Sequence, residues 1–197
     1  MGHERKSRSL GDAAGGGFGV IDVDGWRSIV LDTCRERPAL LPHVAVEALR
    51  ARDYATRLRL PNDERALCEV FALAHDIGKV FALRTTGTDF HPLDGAVFAL
   101  AHGELRLAAL IAHHSGARYE AAQRGLTIPY PYEDSIVNQI VAVVDASTLQ
   151  SGIVVPIAER LRDIAHRHGP ESPPVRAMRA FWPELVAAAQ AIDPSLL

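Results

Sequence analysis

Residues 66–79 read ALCEVFALAHDIGK, a mostly apolar helical run that closes on the pair His75-Asp76 and leads into Gly78 and Lys79. An imidazole and a carboxylate side by side at the end of such a helix cost free energy if they are buried without partners. A divalent metal satisfies both, because neutral His and ionised Asp are common ligands of transition metals. The alternative is that these two residues are a hydrogen-bonded pair in the core that caps the helix and binds no metal. The stretch predicts a metal site at the end of a buried helix, with Gly78 ending that helix in a left-handed turn.

Length and composition predict a globular protein. The chain has 197 residues, of which 48% are hydrophobic, enough for one domain with a sizeable core. We expect a flexible tail over 1–19 and a single helical domain over 20–197. A net charge of −3 with both signs scattered argues against a nucleic-acid partner. Cys34 and Cys68 stand apart and are expected to be buried free thiols.

The cellular location and the absence of a membrane partner are inferred from the targeting signals that the sequence lacks. No apolar run reaches the length of a membrane span, and the basic first residues lack the apolar core of a secretory signal. We therefore expect a cytoplasmic protein without a membrane partner, and the sequence is compatible with a homodimer.

The hydrophobic periodicity is helical throughout, and no alternating strand pattern of any length occurs. The fold class predicted from this pattern is all-α. Helices are expected over 26–37, 42–60, from 62 or 63 to 75, and over 91–101, 104–115, 133–149, 156–168 and 173–189. Pro183 is expected to kink the last of them.

Seven polar residues occupy positions where a helical core should be apolar. They are His43, His75, Asp76, His91, His113, His114 and Asp145. Their positions fall on different predicted helices, which is typical of a metal site in a helical bundle, where facing helices each contribute ligands. Asp145 is the second strong signal, since it directly follows the apolar stretch Ile-Val-Ala-Val-Val.

Each of these residues has an ordinary structural alternative. His43 and His91 could simply lie at helix starts, and Asp145 could be a carboxylate that the core satisfies by hydrogen bonds. These alternatives stay open at the level of the sequence, and the metal-site interpretation is favoured because it accounts for all of the residues together.

The adjacent histidines His113 and His114 need a choice between them. Neighbouring residues are about 100° apart around a helix, so one of the two is expected to face the site squarely. We choose His113, because it continues the side of Ala109 and Leu110. Arg118, one turn further on, is a candidate phosphate contact, although a surface arginine is the more frequent outcome at such a position.

These motifs resemble one known family, the HD superfamily of metal-dependent phosphohydrolases. The match rests on His43, on the segment LAHDIGK over 73–79, and on Asp145. Two further segments, FHPLDGA over 90–96 and IAHHSGA over 111–117, resemble a bacterial branch of that superfamily. The resemblance covers roughly residues 40–170 and implies an HD-domain-like helical bundle.

The resemblance implies a set of ligands and substrate contacts. A first metal would be bound by His43, His75, Asp76 and Asp145, and Asp76 would bridge to a second metal held by His91 and His113. The cofactor would be one or two divalent ions (Mn, Fe, Mg, Co, Ni or Zn) that clamp a phosphate and lower the pKa of a bound water. Lys79 would contact a phosphate oxygen or the attacking water, making Asp76 and Lys79 the catalytic pair, with His114 and Arg118 at the substrate.

The implied activity is hydrolysis of a small, nucleotide-like phosphoester by a water molecule, without a protein nucleophile. The branch that cleaves cyclic dinucleotides carries His-His-Glu followed by Gly-Tyr-Pro, whereas Ser115 and Gly116 follow the histidine pair here. One alternative is an HD-type di-iron oxygenase, whose ligand set is similar. Another is a metal-binding regulatory domain without catalysis.

Overall fold

The computed structural model describes residues 20–197, and the tail expected over 1–19 lies outside them. Over the described residues the chain forms α-helices and short 3-10 helices but no β-strand, and one isolated bridge joins Thr148 and Val154. The all-α prediction is confirmed. The α-helices are α1 (Val23–Thr33), α2 (Leu41–Arg57), α3 (Asn62–Ala74), α4 (His91–Ala101), α5 (Leu105–Ala112), α6 (Ala117–Gln123), α7 (Ile136–Asp145), α8 (Ile157–His168) and α9 (Pro173–Ile192).

The helix α3 lies at the centre, packed against α1, α2, α5 and α7. Its last eight residues, 67–74, are all buried, which explains why its sequence carries apolar residues on every face. Glu69 is the exception, and its carboxylate is paired with Arg27 at 2.6 Å. Because the whole end of α3 is enclosed by other helices, the two residues that follow it, His75 and Asp76, enter the interior of the protein.

Gly78 does not end α3 in a left-handed turn, as the sequence suggested. The helix ends at Ala74, and Ile77–Lys79 forms a 3-10 turn. A Cβ atom on Gly78 would lie 2.0 Å from the carbonyl oxygen of His91 and 2.5 Å from the backbone nitrogen of Gly95. Glycine is therefore needed here for a close approach of two backbones. This approach seats the start of α4 directly against the turn that follows Asp76.

The chain leaves the helical path earlier than expected after α5. The helix ends at Ala112, His113 has φ −115° and ψ 10°, and Ser115 has a positive φ of 51°. The histidine pair therefore lies in a turn rather than on the predicted helix over 104–115. A short helix that the sequence did not predict, α6, follows this turn.

The other differences are at helix ends. The last turn expected for α1 is a separate 3-10 helix, Cys34–Glu36. The start of α7 at Ile136 is set by Ser135, whose hydroxyl accepts a hydrogen bond from the backbone N–H of Asn138. Pro183 lies inside α9, which continues through it to Ile192.

Cys34 and Cys68 are both free and buried. Among residues 20–197, no helix combines the length and the apolarity needed to cross a membrane.

α9 packs against α6, α7 and α8, and α4 packs against α5 and the 77–79 turn, so that the ends of α3, α5 and α7 meet beneath α8 and α9.

Candidate metal centre

His43, in the first turn of α2, is held with one ring nitrogen facing the site. Pro42 precedes it at the start of the helix, and only 1% of the histidine is exposed. Its Nδ1 lies 3.2 Å from the carbonyl oxygen of Leu149, to which a ring N–H can donate. With the proton on Nδ1, the lone pair is on Nε2. This nitrogen lies 3.0 Å from a carboxylate oxygen of Glu47 and 3.6 Å from one of Asp145.

His75, the residue after α3, is oriented in the same way. Its Nδ1 donates to the carbonyl oxygen of Ala72 at 2.8 Å, which leaves Nε2 as the acceptor. Nε2 lies 3.6 Å from Oδ1 of Asp76, and the ring stacks edge-on against that of His43 at 5.6 Å between centroids. Both imidazoles thus present unprotonated nitrogens to one small region.

That region contains polar atoms without hydrogen-bond partners. Nε2 of His43, Nε2 of His75 and both carboxylate oxygens of Glu47 are buried and unpartnered. Together with Asp145, these residues offer ligand atoms that all lie within 4.8 Å of one another. Lone pairs of nitrogen and carboxylate oxygen directed at one point repel each other unless a cation lies between them. This donor set fits a divalent metal ion.

A second group of ligand atoms adjoins the first and consists of Asp76, His91 and His114. Nε2 of His91 lies 3.2 Å from Oδ1 of Asp76 and 3.3 Å from Nε2 of His114. His114 donates from Nδ1 to the carbonyl oxygen of Ile111 at 2.7 Å, so its Nε2 is the free acceptor. Because Asp76 Oδ2 also lies 3.8 Å from Nε2 of His43, Asp76 stands between the two groups.

The imidazoles are held neutral. Burial lowers the pKa of His75. Burial, together with the nearby charge of Lys79, lowers the pKa of His91 to about 4, and burial next to His75 lowers the pKa of His114 to about 4 as well. Metal binding requires the unprotonated ring, so no proton has to be removed from these side chains at neutral pH.

The carboxylates divide into two kinds. Burial by itself would raise the pKa of Asp76, but the positive charge of Lys79, together with the adjacent His75 and His91, outweighs burial and holds that pKa well below its ordinary range. Burial opposes ionisation of Asp145 too, but the nearby side chains of His43, His75 and Arg160 together outweigh burial, so this pKa is also lowered. Burial and the charges of Asp145 and Asp76 raise the pKa of Glu47 well above its usual value. A cation between these oxygens would stabilise the ionised carboxylate and so counteract the rise in the pKa of Glu47.

The structure brings together five of the six predicted metal ligands, and His114 replaces the sixth, His113. His43, His75, Asp76, His91 and Asp145 lie in the two groups, as the sequence suggested. His113 does not: its Nε2 lies 2.9 Å from the carbonyl oxygen of Tyr130, and its ring packs against Tyr132. His114 takes its place beside His91. The choice of His113 assumed a continuous helix, and the turn that begins at residue 113 reverses which ring faces the site.

The two predicted cationic contacts differ in position. Lys79 donates to Oδ2 of Asp76 at 2.5 Å and lines the cavity above both groups. Arg118 instead pairs with Glu184 and lies over the ring of Tyr132 at 4.4 Å, in a separate depression. The expected contact between Arg118 and a substrate phosphate is therefore not supported by its position.

Two residues of the site were missed in the sequence. Glu47 lies one turn after His43, and an acidic residue four positions from a candidate ligand on the same helix face is a signal that could have found it. Arg160 of α8 is 4% exposed, and its Nη2 lies 3.8 Å from Oδ1 of Asp145. Nothing distinguishes Arg160 in the sequence from the other arginines of α8.

A cavity of about 550 Å³ lies directly above the two groups. Its floor contains Asp76, His91, His114 and Asp145, and its walls come from α6, α8 and α9. The site is therefore reachable by a small molecule, with the ligand atoms of the second group closest to the opening.

One comparison with known proteins identifies a family. A family model for the HD domain matches residues 43–149, which is more than half of the 197-residue chain. The matched span begins at His43 and includes every residue of the two ligand groups. Searches of curated proteins and of solved structures returned no match. With the family model covering most of the helical core and all of the candidate ligands, the chain belongs to the HD domain family.

Proposed function

We propose that this protein is a metal-dependent phosphohydrolase that cleaves a small phosphoester with water. The observation that carries the proposal is the convergence of buried, unpartnered ligand atoms of His43, Glu47 and His75 with Asp145 of α7. The second ligand group, which contains Asp76, lies next to them. The first ion would be held by His43, His75 and Asp145 with Glu47, and Asp76 would bridge to a second ion on His91 and His114. One or two ions of Mn, Fe, Mg, Co, Ni or Zn suit such nitrogen and oxygen ligands.

When bound, the ions would lower the pKa of a water molecule and neutralise the charge of the phosphate group. The chain's own residues would hold the substrate. Lys79 has three donors, of which the structure shows one in use, and Arg160 has donors free for a phosphate oxygen. In hydrolysis the water oxygen forms the new bond to phosphorus, the ester P–O bond breaks, and the alcohol leaves with a proton.

A protein nucleophile is not part of the proposal. Ser115 carries the hydroxyl group nearest to the ligands, and it donates to Oδ2 of Asp145 at 2.5 Å. A hydroxyl engaged in this way supports the orientation of a ligand carboxylate. Its role would therefore be to hold Asp145 in place, and the attacking group would be water.

A di-iron oxygenase on the same scaffold is the second candidate. The feature that favours it is the nitrogen-rich ligand set, with four imidazoles from His43, His75, His91 and His114, which suits iron. Lys79 and Arg160 favour hydrolysis, because two cations beside the metals suit a phosphate dianion. A regulatory domain without catalysis would need neither cation.

The test is hydrolysis of a phosphoester panel by metal-reconstituted protein, with Asp76→Ala and the exposed His102→Ala compared in parallel. We expect phosphate release by the native protein and by His102→Ala, and none by Asp76→Ala, which should also lose bound metal. Release by Asp76→Ala at the native rate would exclude this site. The cytoplasmic location and the homodimer remain predictions.

A further inference from the structure

A second cavity, of about 390 Å³, adjoins the cavity above the ligand groups. The linings of the two cavities share Lys79, Asp89, His91, Gln150, Arg167 and His168. His91 belongs to the second ligand group, and Lys79 donates to Asp76, so the second cavity begins beside the reacting phosphoryl group of the proposed function. A substrate larger than one phosphoryl group has room to extend from the metal ions into this space.

Positively charged side chains from separate parts of the chain line the second cavity. They are Arg37 from the segment after α1, Lys79 from the 77–79 turn, Arg84 from the loop before α4, and Arg167 from α8. Like charges that converge in this way repel one another, and an anion placed among them lowers that energy. The charge of the lining therefore points to an anionic ligand.

Two carboxylates also line the second cavity, and each already has partners. Asp89 pairs with Arg84 at 3.1 Å, and 80% of its side chain is exposed to water. Asp94 is buried, and its Oδ1 accepts hydrogen bonds from the backbone N–H of Thr86 at 2.9 Å and from the hydroxyl of the same residue at 2.8 Å. Arg37 pairs with no carboxylate of residues 20–197, so the positive charge of the lining is only partly compensated.

The two exposed arginines of the second cavity keep donors for a ligand. Arg37 donates from Nη1 to the carbonyl oxygen of Lys79 at 2.6 Å, and Arg84 donates from Nη1 to Asp89 at 3.1 Å. Within the part of the chain that the structure describes, Nε and Nη2 of both arginines have no acceptor. A guanidinium edge binds two anionic oxygens at once, so one edge satisfies a carboxylate. Two such edges and the ammonium group of Lys79 suit the three oxygens of a phosphoryl group.

His168 lies where the two cavities meet, and its pKa reflects the charge there. Burial lowers the pKa of His168, and the positive charges of Arg167 and Lys79 lower it further. Nη1 of Arg167 lies 3.3 Å from Nε2 of His168, while Nε and Nη2 of Arg167 donate to Asp163. A region that disfavours one more positive charge favours a negative group in the same place.

We infer that the substrate carries a second phosphoryl group, which binds in the second cavity to Arg37, Arg84 and Lys79 while the first is cleaved at the metal ions. Arg167 adds positive charge beside this group and keeps its pairing with Asp163. Lys79 lines both cavities and so has access to both phosphoryl groups. This inference rests on the proposed function, since it places the cleaved phosphoryl group at the metal ions.

Binding of non-hydrolysable phosphonates to the Mn²⁺-loaded protein, measured by calorimetry, tests the inference without turnover. Bisphosphonates whose phosphorus atoms are joined by one to four methylene groups are each compared with the monophosphonate of the same carbon chain. We expect at least one bisphosphonate to bind at least about tenfold tighter than its matched monophosphonate. If every bisphosphonate binds no tighter than its match, the inference is overturned and the proposed function stands. Failure of all of the compounds to bind overturns both.

The chemistry of the second group is tested with an analogue of the tightest bisphosphonate in which a carboxylate replaces one phosphonate. The analogue should bind more weakly, because a carboxylate brings two oxygens and one charge to the same three cations. Equal or tighter binding of the analogue overturns the assignment of a second phosphoryl group.

Variants show where the second group binds. Arg37→Gln and Arg84→Gln should each lower the ratio between the bisphosphonate and monophosphonate affinities by about tenfold. Arg35→Gln, at an exposed arginine that pairs with Asp32, is the matched control and should preserve the ratio. Metal content and circular dichroism of each variant establish that it is folded and loaded. A ratio that stays at the native value in both Arg37→Gln and Arg84→Gln would mean that the second phosphonate binds the ions themselves, and it would overturn the inference.

Discussion

Replacing Glu47 with leucine should change stability in opposite directions with and without metal. The Glu47 carboxyl is completely buried, and burial raises its pKa well above the ordinary value, which favours the uncharged acid in the metal-free protein. In its uncharged form the carboxyl O–H can donate one hydrogen bond, to Nε2 of His43 at 3.0 Å, whereas the other oxygen lies 3.5 Å from Nδ1 of His75 and has no hydrogen-bond partner. Burying a poorly satisfied polar group costs about 1–3 kcal/mol, and one hydrogen bond returns about 1 kcal/mol.

From these two values we expect the metal-free Glu47→Leu protein to be more stable than the native one by about 1 kcal/mol. The metal-bound protein should behave in the opposite way, because the variant lacks a carboxylate beside the first ion. We expect the affinity for metal to fall at least tenfold, which corresponds to about 1.4 kcal/mol. Urea unfolding in chelator and in excess Mn²⁺ measures both effects on the same samples.

Glu69→Leu is the matched control, since Glu69 is also a buried carboxylate but is paired with Arg27 and Arg52 away from the site. It should lower stability equally with and without metal and leave the metal affinity unchanged. If Glu47→Leu destabilised the metal-free protein by several kcal/mol and bound metal normally, Glu47 would be a structural residue and the reasoning would be refuted.

Three further outcomes are expected. Gly78→Ala places a methyl group 2.0 Å from a backbone oxygen, so it should cost about 3 kcal/mol and reduce bound metal by one ion per chain; full metal content would contradict the packing argument. In the metal-free protein, the pKa of His114 is about 4, against an ordinary value of 6.5. Between these two pH values the unfolded chain binds a proton on this residue and the folded protein does not. Stability should therefore fall as the pH drops from about 6.5 to about 4, by up to about 3 kcal/mol, and His114→Asn should flatten this slope in urea titrations. Arg106→Gln removes hydrogen bonds to Glu64 and Glu133 and should lower the free energy of unfolding by about 2 kcal/mol at pH 7 without changing bound metal; an unchanged urea midpoint would contradict this.

The sequence predicted the helical architecture and most of the site because both depend on local patterns. The apolar run of α3 with His75 and Asp76 at its end indicated where a metal would be held, and a lone carboxylate after five apolar residues indicated Asp145. Such signals are readable because a buried polar residue in a helix stands out against its neighbours.

The errors came from features that depend on tertiary contacts. The choice of His113 over His114 assumed that α5 continued, but the chain turns after Ala112. No residue before the turn is a helix-ending signal in the sequence. Gly78 was assigned to a helix end, whereas its role is to admit the backbone of α4, a contact with a residue thirteen positions later. Arg160 belongs to the site only because α8 packs over it.

Metal content per chain tests the central claim most directly. Protein purified without chelator would be analysed by elemental mass spectrometry, together with an electron paramagnetic resonance spectrum of the same sample. The account predicts one or two divalent ions per chain, lost in Asp76→Ala and retained in His102→Ala, without a mixed-valent iron signal. Two irons with that signal would favour the oxygenase. A chain that binds no metal, even after incubation with Mn²⁺, would contradict the account.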